Sequence, residues 1–211
     1  MCQPFVGISG IKGFARCCNP AKIHHVKFRR WALLLLLFLG TAGALFLWRK
    51  ESVEMRFYPE IQAAAKRYAV DPSLVKAVIW RESKFQPHVR GGAGELGLMQ
   101  IQEVAAQEWA DAERDRTFEH EHCLNPATNV LAGTFYLSKR LKRYAHTDNP
   151  IPYALADYNA GRGNVIRWNK GAAATNSVMF IESIDFPGTK HYVKSVARRH
   201  RLYKTFARFG L

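Results

Sequence analysis

The chain has 211 residues, which fits one globular domain with an appendage, because about 150 residues can bury a core without disulfides or metals. Lys and Arg outnumber Asp and Glu by 31 to 17. This surplus favours a polyanionic partner, and nucleic acid, anionic lipid and an acidic polymer all fit that description. Cys2, Cys17 and Cys18 precede a long apolar segment and Cys123 follows it, so we expect neither a disulfide framework nor a zinc site.

The apolar segment, residues 31–48, predicts a membrane-spanning helix. It holds eighteen residues without a charge, has a Trp at each end, and is flanked by basic residues on both sides. At about 1.5 Å per residue such a helix reaches roughly 27 Å, close to the hydrocarbon thickness of a bilayer. The two Trp side chains suit the membrane interfaces.

A cleaved signal peptide is the competing interpretation of this segment, because Ala42, Gly43 and Ala44 resemble a cleavage site. Apolar residues continue beyond that site to residue 48, which favours an uncleaved anchor. Six basic and no acidic residues precede the segment, so the N-terminus is expected to stay in the cytoplasm.

These signals predict four regions in chain order. They are a basic cytoplasmic segment (residues 1–30), a transmembrane anchor (31–48), a linker (49–55) and an exported domain (56–211). The expected location is the bacterial inner membrane, crossed once, with the exported domain in the periplasm or outside the cell. An exported location argues against nucleic acid as the polyanionic partner.

The exported part predicts an all-α domain, because apolar residues recur at helical spacing without alternating β-branched runs. Its first clear helix starts at Asp71-Pro72, with Asp as N-cap and Pro at the first helical position, and it ends before Pro87. Leu74 and Val78 form an apolar stripe on this helix, and Glu82 continues the stripe at the C-terminal end.

Later helices are predicted from similar signals. A glycine-rich loop at residues 90–94 precedes the second one. The predicted helices are residues 98–109, a helix that starts at Asn125-Pro126, residues 152–161, and residues 189–209. The last of these carries a basic outer face, which predicts attraction to an anionic wall or membrane surface.

Glu82 combines two features that raise the pKa of a carboxyl group: a border of apolar residues and a place near the negative end of a helix dipole. A carboxyl that stays protonated near neutral pH can donate a proton to a leaving glycosidic oxygen. Position alone does not distinguish this role from that of a solvated side chain in a last helical turn.

Four separated motifs in the exported part carry a family resemblance. They are residues 82–87 (ESKFQP), residues 97–101 (GLMQI), Asn125-Pro126 with Asn129, Gly133, Tyr136 and Leu137, and residues 158–161 (YNAG). In this order and spacing they resemble the soluble-type lytic transglycosylases, whose catalytic domain is related to goose-type lysozyme. The resemblance covers about residues 56–205 and implies a lysozyme-like helical domain that cleaves peptidoglycan.

The resemblance also implies roles for the matched residues, without any cofactor or metal. Glu82 would act alone as acid and base, and Tyr158 would hydrogen bond near its carboxyl and orient it. The residues that would form the substrate groove are Met99, Gln100, Asn159, Ser83 and Gly97. The N-acetyl group of the muramoyl sugar would stabilise the cationic centre, and the 6-hydroxyl of that sugar would attack it, giving a 1,6-anhydromuramoyl end. A core role for Met99 and a purely structural role for Tyr158 stay open.

Two positions depart from the family pattern. Gly91 stands where a serine is usual, which removes a hydrogen bond to the N-acetyl sugar or leaves it to the backbone. Gly188 stands where a glutamate is common, within residues 186–193, a segment that resembles the closing motif of the family.

Three other interpretations stay in view. A lysozyme-like hydrolase of the same glycan would need a positioned water and a second carboxylate, for which Asp157 and Glu95 are candidates. A non-catalytic wall-binding anchor would use the same groove, although it has no need of Glu82. Residues 120–123 (HEHC) could bind a metal, but adjacent positions do not place ligands on one helical face, so a solvated loop is the better interpretation.

Overall fold

The computed structural model describes residue 31, residues 34–43, residue 45 and residues 53–208. The chain divides into two units, Met1–Arg49 and Lys50–Leu211. The described residues of the first unit are helical and exposed. The rest of the predicted anchor and the whole basic segment of residues 1–30 lie outside the described residues. Within the described ranges, no helix has the length and apolar character needed to cross a membrane.

The second unit is built from α-helices and short 3₁₀ helices, as the sequence predicts. In chain order they are α1 (Tyr58–Tyr68), α2 (Pro72–Glu82), α3 (Glu103–Glu113), a 3₁₀ helix (His120–Leu124), α4 (Pro126–Arg143), α5 (Pro150–Ala160), α6 (Arg162–Trp168), a 3₁₀ helix (Gly171–Ala174), α7 (Ser177–Ser183) and α8 (Pro187–Arg208). Extended pairing within residues 53–208 is limited to two isolated antiparallel bridges, Arg90 with Leu96 and Leu96 with Ile101.

Three helices begin with the same local signal, a side-chain cap followed by proline. The carboxylate of Asp71 accepts a hydrogen bond from the Ser73 N–H at the start of α2. Asn125 and Asn149 cap α4 and α5 in the same way. Each cap satisfies backbone donors that the first helical turn leaves unpaired, and the proline has no N–H to satisfy. The predicted starts of α2 and α4 are confirmed.

The helix predicted over residues 98–109 begins later, at Glu103. The preceding residues form a turn instead, in which Gly97 and Gln100 have φ angles of 74° and 47°. Two backbone hydrogen bonds between Leu96 and Ile101 close this turn. The prediction was wrong because apolar spacing continues through the turn, while contacts with other elements set its backbone.

Helices α5 and α8 each begin two residues before the predicted start, at Pro150 and Pro187. α4 and α5 pack together at the centre, with α1 and α3 against α4, and α8 runs along both α2 and α5. At the other end of α8 from Pro187, His200 hydrogen bonds to Asp71 with a distance of 2.9 Å between Nε2 and Oδ2. α8 therefore contacts α2 near the N-terminus of that helix as well.

Gly133 on α4 gives room to a buried methionine. A Cβ atom added at this position would lie 2.5 Å from the Sδ atom and 2.8 Å from the Cβ atom of Met99. Met99 is fully buried and belongs to the turn that follows Gly97. Close approach between α4 and this turn therefore requires glycine.

We predict that Gly133→Ala is less stable than Gly163→Ala by about 1–3 kcal/mol, the usual cost of overpacking a core. Both substitutions gain helix propensity, which is worth about 0.5–1 kcal/mol. Gly163 on α6 has open space around its Cα, so its variant carries no clash. Urea unfolding of the two variants and the wild type measures the difference, and equal midpoints would contradict the packing argument.

Candidate active site

Glu82 is the last residue of α2, and the apolar stripe that precedes it is buried. The next residue, Ser83, ends the helix and is itself buried. Its hydroxyl donates to the carbonyl of Leu98 at 2.8 Å. This hydrogen bond ties the end of α2 to the turn of residues 96–101, so the position of Glu82 is fixed by its own helix and by that turn.

Glu82 lies in the wall of a cavity of about 440 Å³. The turn after the glycine-rich loop contributes Glu95 and Gln100 to the walls, and α4 contributes Tyr136. The end of α5 contributes the remaining wall with Tyr158, Asn159, Ala160 and Gly161. Three of the four family motifs therefore line one cavity, and the third motif reaches it through Tyr136.

Burial raises the pKa of Glu82 to about 7. A hydrogen bond from the hydroxyl of Tyr192 and the charge of Arg81 favour the ionised carboxylate and oppose burial, while Glu95 acts in the same direction as burial. A carboxyl with this pKa is present in both protonation states near neutral pH. It can therefore donate a proton and later accept one.

Tyr192 on α8 holds this carboxyl in place. Its hydroxyl donates to Oε1 of Glu82 at 2.5 Å, and its side chain is buried. The guanidinium of Arg81 lies 5.4 Å from the centre of the Tyr192 ring. The resemblance implies that Tyr158 hydrogen bonds near this carboxyl and orients it, and its hydroxyl donates to the carbonyl of Met99 at 2.8 Å. The direct hydrogen bond to Glu82 comes from Tyr192, which α8 brings onto the end of α2.

Asn129 on α4 fixes the turn from behind. Its Oδ1 accepts a hydrogen bond from the Met99 N–H at 2.7 Å, and its Nδ2 donates to the carbonyls of Leu96 and Cys123 at 2.8 Å each. Asn129 is fully buried. Gly97 leaves the space that the amide fills, because a Cβ there would overlap the Nδ2 atom of Asn129.

The two candidates for a second carboxylate have different surroundings. Asp157 is almost fully buried and accepts hydrogen bonds from Arg143 at 2.5 Å and from Tyr144 at 2.8 Å. Its charge is neutralised within the fold. Glu95 is only partly buried and forms no ion pair with a basic residue of the described part of the chain.

Residues 120–123 have separate structural contacts. His120 hydrogen bonds to the carbonyl of Ile101, and Glu121 forms a bidentate ion pair with Arg90. Cys123 is buried, and burial raises the pKa of its thiol to about 12. Among the residues that the structure describes, no cluster of three or more His, Cys, Asp or Glu side chains is arranged to hold a metal ion.

Comparison with known protein families matches residues 59–180, more than half of the chain, to the transglycosylase SLT domain. The chain belongs to this family. The fold of the SLT domain is the all-helical, lysozyme-like one that the sequence predicts.

Relatives of this SLT domain include larger proteins. The membrane-bound lytic murein transglycosylase F of Desulfosudis oleivorans is 37% identical over 113 residues, which cover 52% of this chain and 23% of the relative. The soluble lytic murein transglycosylase of Escherichia coli strain K12 is 32% identical over 166 residues, covering 76% of this chain and 25% of the relative. The chain thus spans about a quarter of the length of these relatives.

A solved structure of a lytic transglycosylase also matches the fold of this chain. The lytic transglycosylase Slt of Pseudomonas aeruginosa, solved as an inactive mutant with glutamine in place of a glutamate, matches with a TM-score of 0.67 at 27% identity. The match covers 73% of this chain and 25% of that one.

The predicted site residues of the SLT domain fall into two groups. Glu82, Tyr158, Gln100 and Asn159 line the cavity. The other three, Met99, Ser83 and Gly97, are buried behind its wall and shape the turn. Asn159 is exposed, and its Oδ1 accepts a hydrogen bond from Thr189 on α8 at 2.9 Å. The sequence assigned no role to Tyr192, although it lies in the segment that resembles the closing motif of the family.

We predict that Tyr192→Phe raises the pKa of Glu82 above about 7. The variant loses a donor that stabilises the ionised carboxylate, while the carboxyl remains buried. Titration of the Glu82 carboxyl ¹³C resonance by NMR measures the pKa directly. Tyr158→Phe is the matched control, because it also removes a tyrosine hydroxyl close to Glu82, but one that donates to the carbonyl of Met99. An equal shift in both variants, or none in Tyr192→Phe, would contradict the assignment.

Proposed function

We propose that the chain is a peptidoglycan lytic transglycosylase that cleaves the MurNAc-GlcNAc β-1,4 bond and forms 1,6-anhydromuramoyl ends. The observation that carries this proposal is the carboxyl of Glu82, which has a pKa of about 7 and lies in the wall of a polar cavity in an SLT domain. The names of the relatives support the reaction class, since they are lytic murein transglycosylases.

Glu82 performs two proton transfers in this proposal. In its protonated form it donates to the leaving glycosidic oxygen, and the resulting carboxylate then accepts the proton of the 6-hydroxyl as that oxygen attacks the anomeric carbon. The glycosidic bond breaks, an intramolecular C–O bond forms, and no water is consumed. A pKa near the working pH suits both steps, because neither protonation state has to be reached at high cost.

Residues in the cavity wall and behind it support Glu82. Tyr192 orients its carboxyl through the hydrogen bond to Oε1. Gln100 and Asn159 are proposed to contact the sugars on either side of the bond, since both line the cavity. Tyr158 and Met99 act indirectly, because their mutual hydrogen bond fixes the turn that carries Gln100. The inactive glutamine mutant of the Pseudomonas relative is in keeping with a glutamate at the centre of the reaction.

A lysozyme-like hydrolase of the same glycan is the second candidate. A hydrolase that uses two carboxylates requires one that activates water. Asp157 is unsuited to this task because Arg143 and Tyr144 occupy its carboxylate, which leaves Glu95. Transfer to the 6-hydroxyl and transfer to water give different ends, so the products distinguish the two functions.

We predict that Glu82→Gln lowers turnover of purified peptidoglycan by at least 10²- to 10⁴-fold, the effect typical of losing a general acid or base. The variant keeps the shape of the side chain and can neither donate nor accept the catalytic proton. Wild-type products should carry anhydro ends, which are lighter by one water than reducing ends, and mass spectrometry separates them. Reducing ends alone would favour the hydrolase, and full activity of Glu82→Gln would remove Glu82 from the mechanism.

Stability measurements provide the folding control for this variant. The folded-state pKa of Glu82 is raised from 4.5 to about 7, so ionising it costs the wild type stability as pH rises between these values. The neutral amide of the variant has no such cost. Relative to the wild type, Glu82→Gln should gain up to about 3 kcal/mol of unfolding free energy between pH 4 and pH 8. A difference in unfolding free energy between the variant and the wild type that stays constant from pH 4 to pH 8 would contradict the raised pKa of this carboxyl.

We further propose that residues 31–48 anchor the domain in the inner membrane, with the catalytic domain on the periplasmic side. The charge-free span, its terminal Trp residues and the basic segment before it support this location. One of the relatives named above is a membrane-bound transglycosylase. In this arrangement peptidoglycan is the polyanionic partner that the basic composition suggests.

We predict that a membrane-impermeant thiol reagent does not label Cys17 or Cys18 in cells whose outer layer alone is permeable. Cys123 is buried and should stay unreactive in the folded domain. The matched control is Ser183→Cys, which places a thiol at an exposed position of the domain and should be labelled in the same cells. Labelling is read by mass shift of the purified chain. A mature protein that begins near Leu45 would support a cleaved signal peptide instead.

A further inference from the structure

Glu95 is a second carboxylate in the cavity of Glu82, and the proposed reaction makes no use of it. It lies at the end of the glycine-rich loop, where the Gly91 N–H donates to its carbonyl at 2.7 Å. The Ala93 N–H donates to its Oε2 at 3.0 Å. The loop therefore holds both the backbone and the carboxylate of Glu95 in one conformation.

Gly91 is required by this conformation of Glu95. A Cβ atom at position 91 would overlap the Oε2 atom of Glu95 and lie 2.8 Å from Oε1 of Gln100. The carboxylate thus occupies the space that any other residue at position 91 would fill with its own side chain. Gly91 and Glu95 form a matched pair within the loop.

The carboxylate of Glu95 has acceptor capacity left for a ligand. Its backbone N–H, followed by that of Ala93, lowers its pKa, so it is ionised at neutral pH. The contact between its Oε1 and the Nε2 of Gln102 is long, at 3.4 Å, and exposed. No Lys, Arg or His of residues 53–208 forms an ion pair with it. An ionised carboxylate offers about four lone-pair sites, so these contacts leave at least one for a ligand.

Asp157 also lines the cavity, and its carboxylate has a structural role that can be compared with that of Glu95. It is almost fully buried, and Arg143 and Tyr144 both donate to it. Glu95 has neither a cationic partner nor full burial. The hydrogen bond from the Ala93 N–H uses only part of the acceptor capacity of this carboxylate.

We propose that Glu95 is a specificity-determining residue, whose carboxylate accepts a hydrogen bond from an N–H or O–H group of the sugar bound beside Glu82. This inference rests on the proposed function, because it takes the ligand to be a peptidoglycan glycan. Sugars present hydroxyl and acetamido N–H donors, and a hydrogen bond to a charged acceptor is stronger than one to a neutral acceptor. The contact strengthens binding without taking part in proton transfer.

The decisive variant is Glu95→Gln, because it preserves the size of the side chain and its support of the loop. The amide oxygen of the variant can still accept a hydrogen bond from the Ala93 N–H. The amide NH₂ group then faces the cavity and cannot accept a hydrogen bond from a ligand. We expect KM for purified glycan strands to rise about 10- to 100-fold, while kcat changes much less. Glu103→Gln is the matched control, because it removes an exposed carboxylate outside this cavity and should leave KM unchanged.

A double-variant series tests the pairing with Gly91. Gly91→Ala should raise KM at least as much as Glu95→Ala does, because the added Cβ displaces the carboxylate and also crowds Gln100. In the Glu95→Ala background the same substitution should raise KM by a smaller factor than it does in the wild type, since the carboxylate that it displaces is gone and the contact with Gln100 remains. Additive effects of Gly91→Ala and Glu95→Ala would overturn the pairing.

Binding measurements separate this inference from the proposed function. Calorimetry with glycan strands and the Glu82→Gln protein gives a Kd, and adding Glu95→Gln should weaken it by the same 10- to 100-fold. If the wild type binds glycan without cleaving it and the Glu95 effect persists, the proposed function fails and the inference stands. An unchanged KM and Kd in Glu95→Gln would overturn the inference alone. If the wild type releases reducing ends and Glu95→Gln abolishes them with KM unchanged, the inference is also overturned, because Glu95 then activates water.

Discussion

The hydrogen bond between Tyr192 and Glu82 joins residues that are 110 positions apart in the chain, and the proposed chemistry depends on it. A carboxyl at the end of α2 is surrounded by buried apolar residues, so its ionised form is disfavoured. The Tyr192 hydroxyl supplies the donor that the ionised form needs and holds the carboxyl in one orientation. Burial and this hydrogen bond oppose each other, and their balance leaves the pKa of Glu82 at about 7.

Two sets of contacts keep Glu82 and Tyr192 in the positions that this balance requires. α8 must lie against α2, and the hydrogen bond between His200 and Asp71 holds the far end of α2 to the same helix. The turn of residues 96–101 must meet the C-terminal end of α2, which the hydrogen bond from Ser83 to Leu98 ensures. Asn129 fixes that turn from α4 with three hydrogen bonds. The turn that borders the site is thus held in place by the helices around it.

Local signals explain how much of this arrangement the sequence predicts. Cap residues followed by proline act within one helical turn, so the starts of α2 and α4 were predicted correctly. The place of Glu82 at the end of α2 was predictable because its apolar stripe lies on a single helix, while its proposed catalytic role came from the resemblance. The turn before Glu103 was wrongly predicted as helix. Its conformation depends on hydrogen bonds that Met99 makes with Asn129 and Tyr158, and these residues lie 30 and 59 positions away from Met99 in the chain.

The hydrogen bond between Tyr192 and Glu82 could not be predicted from the sequence for the same reason. Spacing along one helix shows which face a residue shares, but it does not show which residue of a distant helix meets that face. Tyr158 and Tyr192 both have buried hydroxyls near the cavity, and only the packing of α8 decides which one donates to Glu82. Of the third motif, Tyr136 lies in the cavity wall and Asn129 is buried behind the turn, a difference that only the packing shows.

The departure at Gly91 is best understood together with Glu95. A serine is usual in the family at position 91, and in this chain the carboxylate of Glu95, from the other end of the same loop, lies where a side chain at that position would begin. A polar group therefore remains at this place in the cavity, but it changes from a neutral hydroxyl to an anion. The anion also raises the pKa of Glu82, in the same direction as burial. One exchange within the loop thus acts on ligand binding and on the acid at once, so substitutions at Gly91 and Glu95 cannot be interpreted independently.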